Sequence, residues 1–136
     1  MRGLLQSRKG DSFAESAIVL PVILLVTIAL MNLTMAGFAS VNANNAANYG
    51  ARVGSVHQQG AASAAYAAAQ QSISYASVGD YIVSVDGGGF PGSQISVAVN
   101  WSVPNIMGGL LDYLGGSDLG ADIHGDATAV FRQEGW

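Results

Sequence analysis

The order of apolar and polar positions divides the chain into three stretches with different periods. Residues 17–38 hold no charged side chain. As a helix rising roughly 1.5 Å per residue this run is about 33 Å long, enough to cross a hydrocarbon core of about 30 Å, so one membrane crossing is expected. Residues 39–74 contain no proline and are rich in alanine, which predicts that the helix continues. Asn42, Asn44 and Asn45 weaken it locally, and Gly60 is a bend or break.

Past residue 75 the period falls to two. In residues 94–103 the side chains of Ile95, Val97, Val99, Trp101 and Val103 alternate with Gln94, Ser96, Ala98, Asn100 and Ser102, the pattern of a half-buried strand. Residues 81–85 read as a second strand, joined to the first by a glycine-rich loop with Pro91. Residues 121–132 read as a third, with Ile123, Ala127, Ala129 and Phe131 on one face. Between the last two strands, residues 104–120 carry Ile106, Met107, Leu110, Leu111, Tyr113, Leu114 and Leu119 among glycines. This insertion is expected to form a short amphipathic helix closing the sheet edge, the alternative being an exposed contact for a neighbour.

The expected fold is therefore α+β: a long N-terminal transmembrane helix whose outer half packs on a small three-stranded antiparallel β-sheet. The expected segments are a basic leader (1–10), a short signal-like segment (11–16), the span (17–38), an outer helix (39–74) and a β-rich extracytoplasmic region (75–136).

Charge orients this plan. The net charge is −4, yet three of the five basic residues, Arg2, Arg8 and Lys9, precede the span. An excess of basic residues on one flank places the N-terminus in the cytoplasm and the remainder outside. Beyond the span only Arg52 and Arg132 face seven acidic residues, so no basic surface exists for nucleic acid. There is no cysteine, hence no disulfide and no thiolate metal site. A cleaved secretory signal, with a small-residue site at 41–43, fits less well because its apolar core is usually only about 7–15 residues.

Chemistry is sparse. His57 and His124 are far apart in sequence, and no spacing suits zinc or haem. The glycine-rich runs lack the lysine and following helix of a phosphate-binding loop and read as turns. Asp118, Asp122 and Asp126 lie among glycines and fit a turn and a solvated strand edge better than a calcium site. No catalytic constellation, cofactor site or metal site is expected, and an enzyme is disfavoured.

Two features suit assembly instead. Small residues recur every four positions, Ala43, Ala47 and Ala51 on one line and Ala46, Gly50 and Gly54 on another, which lets helices approach closely. Packing between subunits is expected for residues 43–54 and packing on the chain's own sheet for 61–73. Pro21, inside the apolar run, is expected to kink or locally unwind the helix. Glu15 stands two residues before the span. A lone charge in a low-dielectric bundle is costly unless paired, so it either sits at the headgroup level in water or meets a partner charge.

The stretch KGDSFAESAIVLPVILL resembles the class III signal of type IV pilins: basic residues, Gly10, four residues, Glu15, then an apolar helix. More narrowly, residues 8–54 resemble the TadE-like family, the pilin-like and pseudopilin subunits of tight-adherence (Tad) pilus systems. The Gly10–Glu15 spacing, Val19-Leu20-Pro21 and the AANYGAR of residues 46–52 carry the likeness. It departs at Asp11, where many type IV pilins begin with Phe or Met, and at MNLTMAGF near the outer end of the helix.

The resemblance implies a structural subunit of a pilus or secretion filament, in the bacterial cytoplasmic membrane and then in an extracellular filament. Its implied partners are membrane lipid, further copies or other pilin-like subunits, a prepilin peptidase and an assembly platform. Cleavage after Gly10 would make Asp11 the terminal residue and Glu15 the fifth, placed to pair with a neighbour's terminal amine. The alternative function is a single-pass accessory subunit of a larger membrane complex, with its leader retained.

Overall fold

The computed structural model describes residues 7–113, 115 and 120–134. The elements in order are α1 (Ser7–Val56), α2 (Ala61–Ile73), β1 (Asp80–Gly87), β2 (Gln94–Val103), α3 (Ile106–Tyr113) and β3 (Ile123–Arg132). The architecture is α+β, a long apolar N-terminal helix whose outer half carries a three-stranded antiparallel sheet. At 50 residues, α1 extends about 75 Å. It remains α-helical through Pro21, so the local unwinding expected there is absent.

The stretch expected as one outer helix, residues 39–74, is a helical hairpin. Gly60 adopts φ +66°, a left-handed conformation that glycine enters without steric penalty, and the chain reverses there into α2. The amide of His57 donates to Gly54 O at 3.2 Å, closing α1, and the amide of Ala64 donates to Gly60 O at 2.9 Å, opening α2.

The small residues of the hairpin set how closely its two helices meet. A Cβ added at Gly50 would lie 2.8 Å from Ala65 O and 2.9 Å from Ala69 Cβ; one at Gly54 would lie 2.6 Å from Ile95 Cδ1 and 2.8 Å from Ala65 Cβ. Both glycines are therefore filled by the chain's own α2 and sheet.

In the sheet β2 is central, paired antiparallel on both sides, with Val83↔Val99 and Val99↔Ala127 in register. That register brings the inward residues of all three strands to one face. Ile95, Val97, Val99 and Val103 are fully buried against Ala39, Ala43, Ala46, Ala47 and Ala51 of α1. Large strand side chains thus fill the space that small helical ones leave, each worth about 1.5–3 kcal/mol of burial. Gly125 leaves room for Trp101, whose indole carbon Cζ2 would lie 2.6 Å from a Cβ there.

At the far end from the apolar run, Gln133 is 1% exposed. Its Nε2 donates to His57 O at 2.6 Å, and its Oε1 accepts from Ser93 Oγ at 3.3 Å. Backbone bonds join the amide of Gln133 to Ser93 O and the amide of Glu134 to Ser55 O. One buried amide therefore ties the α1–α2 turn to the β1–β2 hairpin and to the end of β3.

At the near end the insertion expected to close the sheet edge does something else. α3 leaves the sheet and lies beside α1 at Asn32, whose Nδ2 donates to Asn105 Oδ1 at 2.7 Å and whose Oδ1 accepts from the amide of Ile106 at 3.1 Å. Asn105 is also the cap of α3, its Oδ1 accepting from the amide of Gly108 at 3.1 Å. Leu114 and Leu119, expected in this insertion, lie outside the described residues, as does Arg2 of the leader.

Two substitutions test the packing. Gly→Ala in a helix interior normally stabilises by about 1 kcal/mol, but overpacking costs about 1–3 kcal/mol. Gly50→Ala is expected to destabilise the domain by about 1–2 kcal/mol, whereas Gly37→Ala, with open space around it, is expected to be neutral or stabilising by up to about 1 kcal/mol. Denaturant unfolding of the full chain in detergent, followed by tryptophan fluorescence, measures both.

Asn32→Leu removes the Nδ2 donor to Asn105 Oδ1 and the acceptor of the Ile106 amide. Undocking of α3 should then become easier by about 1–3 kcal/mol, seen as faster hydrogen exchange in residues 104–122 with the sheet unchanged.

Candidate assembly and anchoring surface

From Phe13 to Met31 every side chain is exposed except that of Ile28, which is half-buried. These include Phe13, Ile18, Leu20, Val22, Ile23 and Leu30, with Phe13 79% exposed. The most apolar stretch of α1 has mean hydropathy 2.5, and only 6% of it is buried. A helix at the core of a water-soluble fold would be mostly covered. This one is long and apolar enough to cross a membrane, and its chain leaves it bare.

Its few polar groups are satisfied locally. Thr27 Oγ1 donates to Ile23 O and Thr34 Oγ1 to Leu30 O, each at 2.8 Å, which returns each hydroxyl to the preceding turn. Asn32 is the exception, using α3 as its partner. It is also the one fully buried residue among positions 13–38.

Glu15 is exposed at the lower end of this surface, beside a shallow depression shared with Ser16, Val19, Leu20 and Ile23. Glu15, Val19 and Ile23 follow one another at four-residue intervals, so the carboxylate terminates an apolar ridge. Gly10 and Asp11 fall in the opening turns of α1, and five residues of helix separate Gly10 from Glu15 by about 7.5 Å. Pro21 lies on the bare section too.

The remaining expected contact residues lie elsewhere. Ala47 and Ala51 are buried in the domain core, and Gly50 and Gly54 face α2. Packing between subunits was expected of residues 43–54, but this stripe is occupied within the chain, because the reversal at Gly60 folds α2 back onto it. Glu15 and Pro21 therefore stay on the open surface, while the small-residue stripe builds the domain. The possible cleavage site at 41–43 is mid-helix, with Ala43 fully buried.

Asn32, like Thr27 and Thr34, is a polar group in an apolar run expected to bond to the preceding turn or to a neighbouring helix, and of the three it alone bonds across the fold. Its signal was a lone amide in an apolar run. What pattern reading could not supply was Asn105, 73 residues away in sequence.

Other candidate chemistry does not converge. His57 Nδ1 lies 2.7 Å from Val53 O at the end of α1, and His124 Nδ1 lies 3.1 Å from Asp122 O at the start of β3. Among the described residues no group of three or more His, Cys, Asp or Glu is placed to hold a metal ion. Asp118 lies outside the described residues.

The match to known proteins falls on the same helix. The sequence model of the family described as TadE-like protein matches residues 10–52. That range begins at Gly10, takes in Glu15, Pro21 and the bare apolar surface, and ends within the stripe that α2 covers. No curated protein and no solved structure shows significant similarity to the chain. The match to the TadE-like family thus falls on residues 10–52 of α1, about a third of the chain, from the bare apolar section into the part that packs in the domain.

Proposed function

We propose that this protein is a structural pilin-like subunit, a pilin or pseudopilin, of a Tad or type IV-like pilus or secretion filament, assembling through the apolar part of α1. The observation that carries this reading is the continuity of α1. One unbroken helix joins a bare apolar surface to a folded domain, within a segment matching the TadE-like family.

Lipid tails and the flanks of sister helices offer nearly the same environment to Ile18, Leu20 or Leu30. The same surface therefore serves as a membrane anchor before assembly and as a packing interface after it. The basic residues that precede the span support an N-terminus in the cytoplasm and a domain outside.

Glu15 and Asp11 supply the register. Cleavage after Gly10 by a prepilin peptidase would free an amine on Asp11. In a bundle of staggered helices the carboxylate of one subunit would meet the amine of the next, since each is costly to bury alone. An assembly platform would move the subunit from bilayer to filament. The role is structural, with no reaction assigned to the chain.

Two measurements test the proposal. The intact mass of protein from native filaments should correspond to a chain beginning at Asp11. Glu15→Gln keeps the side-chain shape and removes the charge. It should lower filament yield at least about tenfold, equivalent to roughly 1.4 kcal/mol per subunit contact, with the membrane-inserted amount unchanged. Purification of the native protein as one or two copies in a defined complex, with residues 1–10 retained, would replace the filament reading with that of an accessory subunit.

A further inference from the structure

The connection between β2 and β3 does more than link two strands. A Cβ at Gly79 would lie 3.5 Å from Ala39 Cβ and 3.1 Å from Val103 Cγ1, so the lower edge of the sheet is level with Ala39 of α1. Asn32 is seven residues below, about 10 Å further along the helix axis. The clasp of Asn32 with Asn105 and Ile106 therefore holds α3 beneath the sheet, beside a section of α1 whose other side chains, Thr34 apart, are apolar and largely bare.

At that depth α3 turns an apolar stripe outward. Ile106, Leu110 and Tyr113 follow at helical spacing. Ile106 is exposed, Leu110 half-buried and Tyr113 88% exposed, while Gly108 is buried. Leu30, Met31 and Leu33, around Asn32 on α1, are exposed apolar side chains at the same level.

We infer that α3 lies in the headgroup layer of the outer leaflet and sets the depth at which the domain stands on the bilayer. The stripe is three side chains long, far short of the roughly 1,200–2,000 Å² that a stable protein contact buries. It suits insertion at a lipid boundary, where tyrosine is enriched for its apolar ring and polar tip. α3 has no Lys or Arg and one acidic residue, Asp112, so burial of apolar surface and not attraction to anionic lipid drives the contact.

A consequence concerns the span. With α3 at the outer boundary the hydrocarbon core would cover α1 from about Phe13 to Met31, about 28 Å of helix against a core of about 30 Å. That places Glu15 within a turn of the inner boundary. Residues 33–38, apolar enough to be taken for membrane, would stand above the tails.

This inference rests on α1 lying in a bilayer, and the test separates the two. The chain has no cysteine, so single-cysteine variants of the full protein label cleanly. Tyr113→Cys, Leu24→Cys and Phe90→Cys would each carry an environment-sensitive fluorophore in phosphatidylcholine vesicles doped with lipid spin-labelled near the headgroup, to probe Tyr113 and Phe90, or at the middle of the acyl chain, to probe Leu24. Phe90 is the control, since it is 68% exposed and apolar but sits in the β1–β2 loop at the far end of the domain.

Loss of fluorescence at Tyr113 and Leu24 but not at Phe90 is the expected result. Quenching at Leu24 with none at Tyr113 would overturn the docking of α3 and leave the anchor intact; no quenching at either would remove both. Adding Asn32→Leu should abolish quenching at Tyr113 and preserve it at Leu24. Persistence at Tyr113 would show that the clasp does not set the depth.

Discussion

One helix has to satisfy two environments. α1 runs unbroken from Ser7 to Val56, and its lower half exposes large aliphatic side chains while its upper half buries small ones. Neither half is stable without its own covering. The lower half needs lipid or other helices because exposed apolar surface of this extent is unfavourable in water. The upper half needs α2 and the sheet because a ridge of alanine and glycine gains little unless another backbone approaches closely. Continuity of the helix couples these demands, so the domain is rigidly referenced to whatever surrounds the lower half.

The domain on that helix is fastened by buried amides at both ends. Gln133 joins the α1–α2 turn, the β1–β2 hairpin and the end of β3; Asn32 and Asn105 join α1 to the β2–β3 connection. Between them the core is alanine against valine and isoleucine, which is close-packed but low in polar specificity. Directional bonds at the two ends fix orientation where apolar contact alone tolerates sliding, a consequence of the cost of leaving a buried polar group unpaired. The domain has no disulfide, and these bonds and close helix contacts hold it instead.

In the proposed role, that of a subunit passing from bilayer to filament, this division is useful. The bare section of α1 runs from Glu15 at its lower end to the clasp of Asn32 at its upper end. The small-residue stripe that resembles a helix-association motif is already consumed within the chain. Its match to the TadE-like family thus spans two physical roles, an exposed one through the apolar run and an internal one in the residues up to 52.

Much of the fold was legible from local pattern, because period and composition act at short range. The charge-free run, the alternation of residues 94–103 and the glycine break near residue 60 each follow from which side chains neighbour one another along the chain. The three strands and the long helix were readable on those grounds alone. What covers Gly50 and Gly54 was not, since a ridge of small residues accepts a second chain or a folded-back helix equally well. Only the direction α2 takes after the left-handed Gly60 decides it. Nor could the chain order of residues show that Asn32 meets Asn105, or that α3 leaves the sheet edge for α1. Those pairings depend on the register of the strands that deliver residue 105 to the lower edge of the domain, a long-range property that no local spacing contains.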